Sequence, residues 1–352
     1  MTPATCSPNR PWRRLAADAL AAAFLVAGLA ACGGGIDGGA ALASPAGNWV
    51  SELERDHPLT GRVWQPKRQR FTDAASLLVA VGRSDFVLIG EKHDNPDHHR
   101  LQAWLVERMI QGGRRVAVAF EMFAVDQGPA IAAYLRDNPR DAKGLGAAVE
   151  WPKTGWPDWD MYRPIAQAAL DAGLPVAAAD LARGTVRAIG RQGEGALAPD
   201  ARARLGELRP ADAAVKKAIA DEMRESHCNM LSDAVAEKMV VVQRARDAHM
   251  AVSIIEAAAG PDLDGAVLIS GAGHARTDHG VPEFLRRMAP GREVLSIGLV
   301  ESYPDRRTPD DYAQDHGAPS LPFDFVWFTP RFDATDPCQA HAGALKRLQQ
   351  RQ

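Results

Sequence analysis

Four apolar runs in this chain end in an acid or an imidazole, the side chains that bind metals and move protons. Phe86–Gly90 leads into Glu91-Lys92-His93-Asp94-Asn95-Pro96-Asp97-His98-His99, Val116–Phe120 into Glu121, and Pro175–Ala179 into Asp180. Ala266–Ile269 is followed, after Ser270, by Gly271-Ala272-Gly273-His274. In open parallel sheets ligands bind beyond the carboxyl ends of the strands, so Glu91, His93, Glu121 and His274 are expected to share one rim. Carboxylate and imidazole together suit a divalent metal, or acid–base work on a polarised substrate. No HExxH motif is present, so such ligands must converge from separate strand ends. Gly271-Ala272-Gly273 is no dinucleotide fingerprint, because position 276 is arginine where GxGxxG needs glycine.

Each residue also has a plainer reading. Asn95-Pro96 looks like an N-cap followed by proline at the first helical position, which makes Asp97, His98 and His99 decoration of a first turn. Lys92 and Asp94 read as a solvated pair. Glu121 resists such a reading, since an apolar strand has no reason to end in a charge that goes unused. If its only partner were an absent ligand, its removal would be neutral or mildly stabilising.

The elements that must carry these residues alternate. Further strand-like runs occur at Val294–Leu299 and Phe323–Phe328, and helical stretches at Asp97–Gln111, Gln127–Arg136, Tyr162–Ala172 and Asn229–Ala259. Runs apolar on both faces, separated by helices, predict an α/β fold: a mostly parallel central sheet flanked by helices. An additional helical segment is expected between Arg183 and Arg224, where Ala, Arg and Glu dominate. Tyr303–Pro322 reads as a long loop.

The first thirty residues belong to a different category. Arg10, Arg13 and Arg14 precede an apolar run from Ala19 to Ala31, shorter than the about 20 residues that span a bilayer but suited to a signal peptide. The run ends in Leu29-Ala30-Ala31-Cys32 and a glycine-rich stretch, which resembles the lipobox of bacterial lipoproteins. The expected organisation is a signal peptide over 1–31, a lipid-anchored linker and lead-in over 32–70 with Cys32 acylated, and an α/β domain over 71–340. Gly33 in place of aspartate after the cysteine resembles lipoproteins of the outer membrane, on its periplasmic face or at the cell surface. Loss of residues 1–31 removes three arginines and one aspartate from 41 basic and 44 acidic residues, leaving 38 and 43 and a formal net charge of −5. No long basic run appears, so nucleic acid is not an expected partner. Of four cysteines, Cys228 and Cys338 remain free to pair in an oxidising compartment.

Phe86–His99 and Leu268–Arg276 resemble the two hallmark segments of the ChaN-like haem-binding lipoproteins, relatives of Tiki proteases and erythromycin esterases. Phe120-Glu121-Met122, the aromatic segment Trp156, Trp159, Tyr162 and Pro164, Ser226-His227-Cys228, Arg246–Ala251 and Asp324–Pro330 agree in order, covering roughly residues 70 to 340. The resemblance implies an α/β domain, a surface lipid anchor, and a role in haem or iron acquisition. It also implies a catalytic or metal centre at the Gly-x-x-His segments Gly90–His93 and Gly271–His274, with Glu121 between them. Two functions follow. A haem-binding lipoprotein needs an axial ligand; of the tyrosines, Tyr162 is the choice because it follows Trp156 and Trp159, and His227 is a second candidate. The alternative is a metal-dependent hydrolase in which Glu91, His93, Glu121 and His274 hold the metal or activate water and Lys92 stabilises an oxyanion. The partners expected on the first reading are haem, the membrane through the anchor, an outer-membrane haem receptor and a second copy of the chain.

Overall fold

The apolar runs become the strands of one sheet in a computed structural model, which describes residues 45–199, 202–203, 212–340 and 342–343. The signal segment and Cys32 lie outside the described residues. The strands are β1 (Val63–Gln65), β2 (Arg70–Thr72), β3 (Phe86–Glu91), β4 (Val116–Ala124), β5 (Val176–Asp180), β6 (Gly265–Gly271), β7 (Val294–Glu301) and β8 (Phe325–Thr329). Their order is β2-β1-β8-β7-β3-β6-β4-β5. Pairing from β8 through β5 is parallel, and β1 runs antiparallel to both β2 and β8. The expected α/β class with a mostly parallel sheet is the observed one.

The helices used below are α1 (Ala74–Arg83), α2 (Pro96–Gln111), α3 (Gly128–Asp137), α4 (Ala142–Ala148), α5 (Trp159–Asp171), α6 (Arg183–Gln192), α7 (Ala213–Ser226), α8 (Asp233–Ala258), α9 (Ala272–Ala275) and α10 (Val281–Met288). Alternate residues of β3 serve two cores. Val87 and Ile89 pack with Leu101, Leu105 and Ile165 of α2 and α5, whereas Phe86 and Leu88 pack with Ala248, Ile254 and Phe284 of α8 and α10. Helices therefore cover both faces, as buried parallel strands require.

Several boundaries depart from the sequence reading for local reasons. The long helix starts at Asp233 rather than Asn229, because Cys228 and Asn229 both take left-handed backbone angles (φ 58° and 56°) that a helix cannot continue through. The α5 helix starts at Trp159, where the Asp158 side chain accepts from the Asp160 amide as an N-cap. At the end of the lead-in, β1 and β2 form a short antiparallel pair, unforeseen in the sequence, that extends the sheet beyond β8. Cys228 and Cys338 form a disulfide, tying the α7–α8 turn to the segment after β8. No helix among the described residues is long and apolar enough to cross a membrane.

Candidate functional site

Strand register brings the chemistry together. β3 and β6 pair so that Glu91 stands opposite Gly271, and β4 and β6 pair so that Phe120 stands opposite Ile269. Glu91, Glu121 and the Gly271–His274 turn thus reach the same end of the sheet. From there the two carboxylates go to different helical layers, and each is enclosed.

Glu91 is buried against α2 and α5. Its Oε1 lies 2.9 Å from His93 Nδ1 and accepts from the Tyr162 hydroxyl at 2.9 Å. Its Oε2 is 3.1 Å from His99 Nδ1, an ion-pair distance without hydrogen-bond alignment. Burial alone would raise the Glu91 pKa, but the charge of His99 and the contacts with both imidazoles bring it down to about 2. Burial opposes the charge on His99, and Glu91 outweighs it and raises the ring above its usual value. His99 Nε2 donates to the His93 carbonyl at 2.9 Å.

Glu121 is buried against α8 and α9. It accepts from the Gly271 amide at 2.7 Å and from Arg246 at 2.7 Å, with His274 Nε2 at 3.3 Å. Arg246 also binds Asp180 at 2.6 Å, and His274 Nδ1 lies 2.6 Å from Asp247. Burial disfavours the charge on Glu121, yet His274 and Arg246 hold it well below the carboxylate range. Burial likewise opposes protonation of His274, and Glu121 and Asp247 still raise it to about 10.

His93 joins the halves. A Cβ built on Gly271 would lie 2.9 Å from His93 Nε2 and 3.6 Å from Glu121, so the ring lies across the bare glycine toward the second carboxylate. Its side chain is 35% exposed, it packs on Trp156 with centroids 4.8 Å apart, and among the described residues only its Nδ1 is engaged, by Glu91. Burial works against its proton, and the Glu91 contact raises its pKa nonetheless.

All four rim residues, Glu91, His93, Glu121 and His274, are brought together, but the expected metal set is not formed. Among the described residues no group of three or more His, Cys, Asp or Glu side chains is arranged to hold a metal ion. The donors are turned toward one another: Glu121 is taken by Arg246 and Gly271, and His274 bridges two carboxylates. Lys92 is tied to Asp94 and lies 3.7 Å from Glu301, so it does not point into the site as an oxyanion donor would. Tyr162 belongs to the rim itself. It is fully buried, and burial together with Glu91 raises its pKa, which opposes the phenolate form. His227 bonds Met223 of its own helix at 2.8 Å and makes no hydrogen bond to a rim residue.

His98 and His99 are buried rather than decorative. The Lys92 amide donates to His98 Nδ1 at 2.9 Å, and Nε2 lies 2.8 Å from the Thr329 hydroxyl. Asp247 and Arg246 have site roles that strand-end reasoning does not reach. The available signal was two adjacent charges in the helix stretch that buries Ala245, Ala248 and Ala251.

Beside Trp156 a cleft of about 220 Å³ is lined by Met122, Val149 and Leu181, with Glu121, Asp180, Lys153 and Arg183 at its edges. A wider groove of about 500 Å³ between α3 and the outer strand β5 is lined by Ile131, Leu135, Leu174 and Val176 and has no titratable side chain.

A family model described as "Haem-binding uptake, Tiki superfamily, ChaN" matches residues 77–285. The chain belongs to this family. Among solved structures, ChaN of Campylobacter jejuni, described with cofacial heme binding, is 19% identical with a TM-score of 0.59; the match covers 75% of this chain and 95% of that one. At that identity the likeness between the two ChaN-family chains is one of fold. The type III effector HopBA1 (18% identity, TM-score 0.41, 72% and 91% covered) is more remote. So is the erythromycin esterase EreC in its open conformation (14% identity, TM-score 0.34, 80% and 87% covered). No curated protein matches this ChaN-family chain.

Proposed function

We propose that this ChaN-family chain binds haem at the strand-end rim, and does so as an exported, lipid-anchored protein of haem or iron uptake. The observation that carries the reading is His93: a half-buried imidazole, backed by a carboxylate on Nδ1, with Nε2 hydrogen-bonded to no other group among the described residues. Such an imidazole is a common axial ligand of haem iron, and a carboxylate on its other nitrogen orients it and strengthens it as a donor. The surroundings fit the group. Trp156, which packs on His93, lines the cleft with Met122, Val149 and Leu181, and Arg183 and the Glu150-paired Lys153 are cations there that would suit an acidic ligand. At about 220 Å³ the cleft is below the roughly 300–1,000 Å³ of sites that enclose a ligand whole. Bound haem supplies an iron that accepts one more nitrogen donor; the protein's part is to present His93, exclude water with Trp156, and neutralise carboxylates. Tyr162, the tyrosine expected as ligand, acts on this reading behind Glu91.

The test is an absorption titration of the mature protein with haemin, beside the His93→Ala variant. The parent is expected to shift the Soret band and His93→Ala to lose most of that affinity while melting like the parent. An unchanged haemin spectrum with the parent defeats the reading. The anchor is tested separately: Cys32→Ser is expected to leave the precursor in the aqueous phase on detergent partitioning, and a variant that still enters detergent removes lipidation from the proposal.

A second reading, hydrolysis, is favoured by one observation: His93 and His274 are both carboxylate-backed imidazoles at one rim. Neutral His93 is placed to take a proton from water. Ester turnover by haem-free protein that disappears in His93→Ala supports this reading, and its absence across a panel of aryl and acyl esters removes it.

A further inference from the structure

Two buried helix residues grip the same two groups. The Tyr162 hydroxyl is 2.9 Å from Glu91 Oε1 and 3.4 Å from the His93 carbonyl. His99 Nδ1 is 3.1 Å from Glu91 Oε2, and its Nε2 is 2.9 Å from the same His93 carbonyl. The two rings pack edge to face at 4.3 Å. One residue comes from α5 and the other from α2, the pair of helices that lie side by side over this face of the sheet.

We propose that Tyr162 and His99 are positioning residues that act through Glu91 on His93. Both hold the carboxylate so that it receives the Nδ1 proton of His93, and His99 also holds the His93 main chain so that Nε2 is delivered bare to the rim. A carboxylate has several lone pairs and an unrestrained one rotates among donors. With Tyr162 and His93 sharing Oε1 and His99 against Oε2, a single rotamer and a single direction remain. The His99 contact to the carbonyl matters equally, because His93 lies two residues past the end of β3, where no strand pairing holds its backbone. Helix capping does not explain His99, since Asn95 already accepts from the Asp97 and His98 amides. Ring packing alone would explain Tyr162 as a phenylalanine and gives no reason for the hydroxyl. The inference rests on His93 being the residue that meets the ligand, whichever ligand that is.

Long-range proton–nitrogen spectra of the histidine rings test it on full mature protein, with the His93 signals identified by their loss in His93→Gln. The parent, at a pH where the His93 ring is neutral, is expected to show His93 wholly in the Nδ1–H tautomer. Tyr162→Phe, which keeps the ring, and His99→Gln, which keeps an amide donor, should each give a tautomer mixture. Both variants should weaken haemin binding on the order of tenfold, the scale typical when a partner behind a metal-binding histidine is removed. A parent that is not Nδ1–H at His93, or variants that both keep the parent tautomer, overturns the proposal. If His99→Gln fails to fold, Tyr162→Phe decides alone. A parent that leaves the haemin spectrum unchanged defeats the haem reading but not this inference, which the tautomers decide.

Discussion

Glu121 is the residue whose environment most changes what its removal should do. Its carboxylate satisfies a buried amide, a guanidinium and an imidazole at once, so the neutral outcome expected for a carboxylate waiting on a ligand does not apply. Glu121→Ala is expected to destabilise the fold by about 3 kcal/mol, the low end for breaking a buried pair, because Arg246 keeps Asp180. Urea midpoints check this, and an unchanged midpoint would show that the pairing carries little stability. His98 adds to the acid limb that the depressed carboxylates Glu91 and Glu121 also feed. Its Nδ1 accepts from the Lys92 amide, and burial lowers its pKa to about 3, so the folded ring stays neutral where an unfolded one, near 6.5, takes a proton. Its contribution is therefore present above pH 6.5 and is lost as pH falls toward 3. His274 has the opposite sign. Raised to about 10, its contribution is full below 6.5 and is lost as pH climbs through about 10. Stability should peak near neutrality, and His98→Gln should flatten the acid side; denaturant midpoints against pH for both proteins check it. The strand-end acids and imidazoles were legible because a charge interrupts an apolar run. His98, His99 and Asp247 were not, because their roles depend on which way a helix is rotated against the sheet.

At the scale of elements, two glycines on β6 separate function from fold. A side chain at Gly271 would meet the far end of His93, 2.9 Å away, which can swing aside. Gly271→Ala is accordingly expected to keep stability within about 1 kcal/mol of the parent while displacing the imidazole and weakening haemin binding. At the other end of the same strand, a Cβ on Gly265 would lie 1.8 Å from the backbone oxygen of Asp85. Nothing there can swing, and Gly265→Ala should lose about 3 kcal/mol or more. Thermal melts and haemin titrations of both variants check the contrast, which fails if Gly271→Ala melts as low as Gly265→Ala. Six of the eight strands among the described residues were legible to within a few residues because each is a continuous apolar run. β1 and β2 were not: with three residues each they carry no period, and only docking on β8 makes them strands. The start of the long helix was misplaced for the opposite reason, since Cys228 and Asn229 are compatible with a helix until the turn forces positive φ on them.

For the molecule as a whole, the disulfide is the feature that composition pointed to and geometry supplied. Cys228 and Cys338 are 110 residues apart, and a closure of that length contributes on the order of 4 kcal/mol in the chain-entropy model, usually less in practice. Denatured, non-reduced mature protein should show no titratable thiol from this pair, and reduction should lower the melting temperature by several degrees; two free thiols would contradict the bond. The order of strands has a different consequence. β3, the earliest strand of the parallel set to be made, has Phe86 beside Ala266 on one side and beside Val294 on the other. Until those distant partners exist, the strand that carries Glu91 has no neighbour on either flank, and nothing made before them can complete the sheet's centre. Non-local pairing of this kind slows folding and lengthens the time apolar edges stand open. The permuted strand order thus makes the rim's own assembly a late event, since the strand bearing Glu91 is flanked only once the last third of the chain is in place.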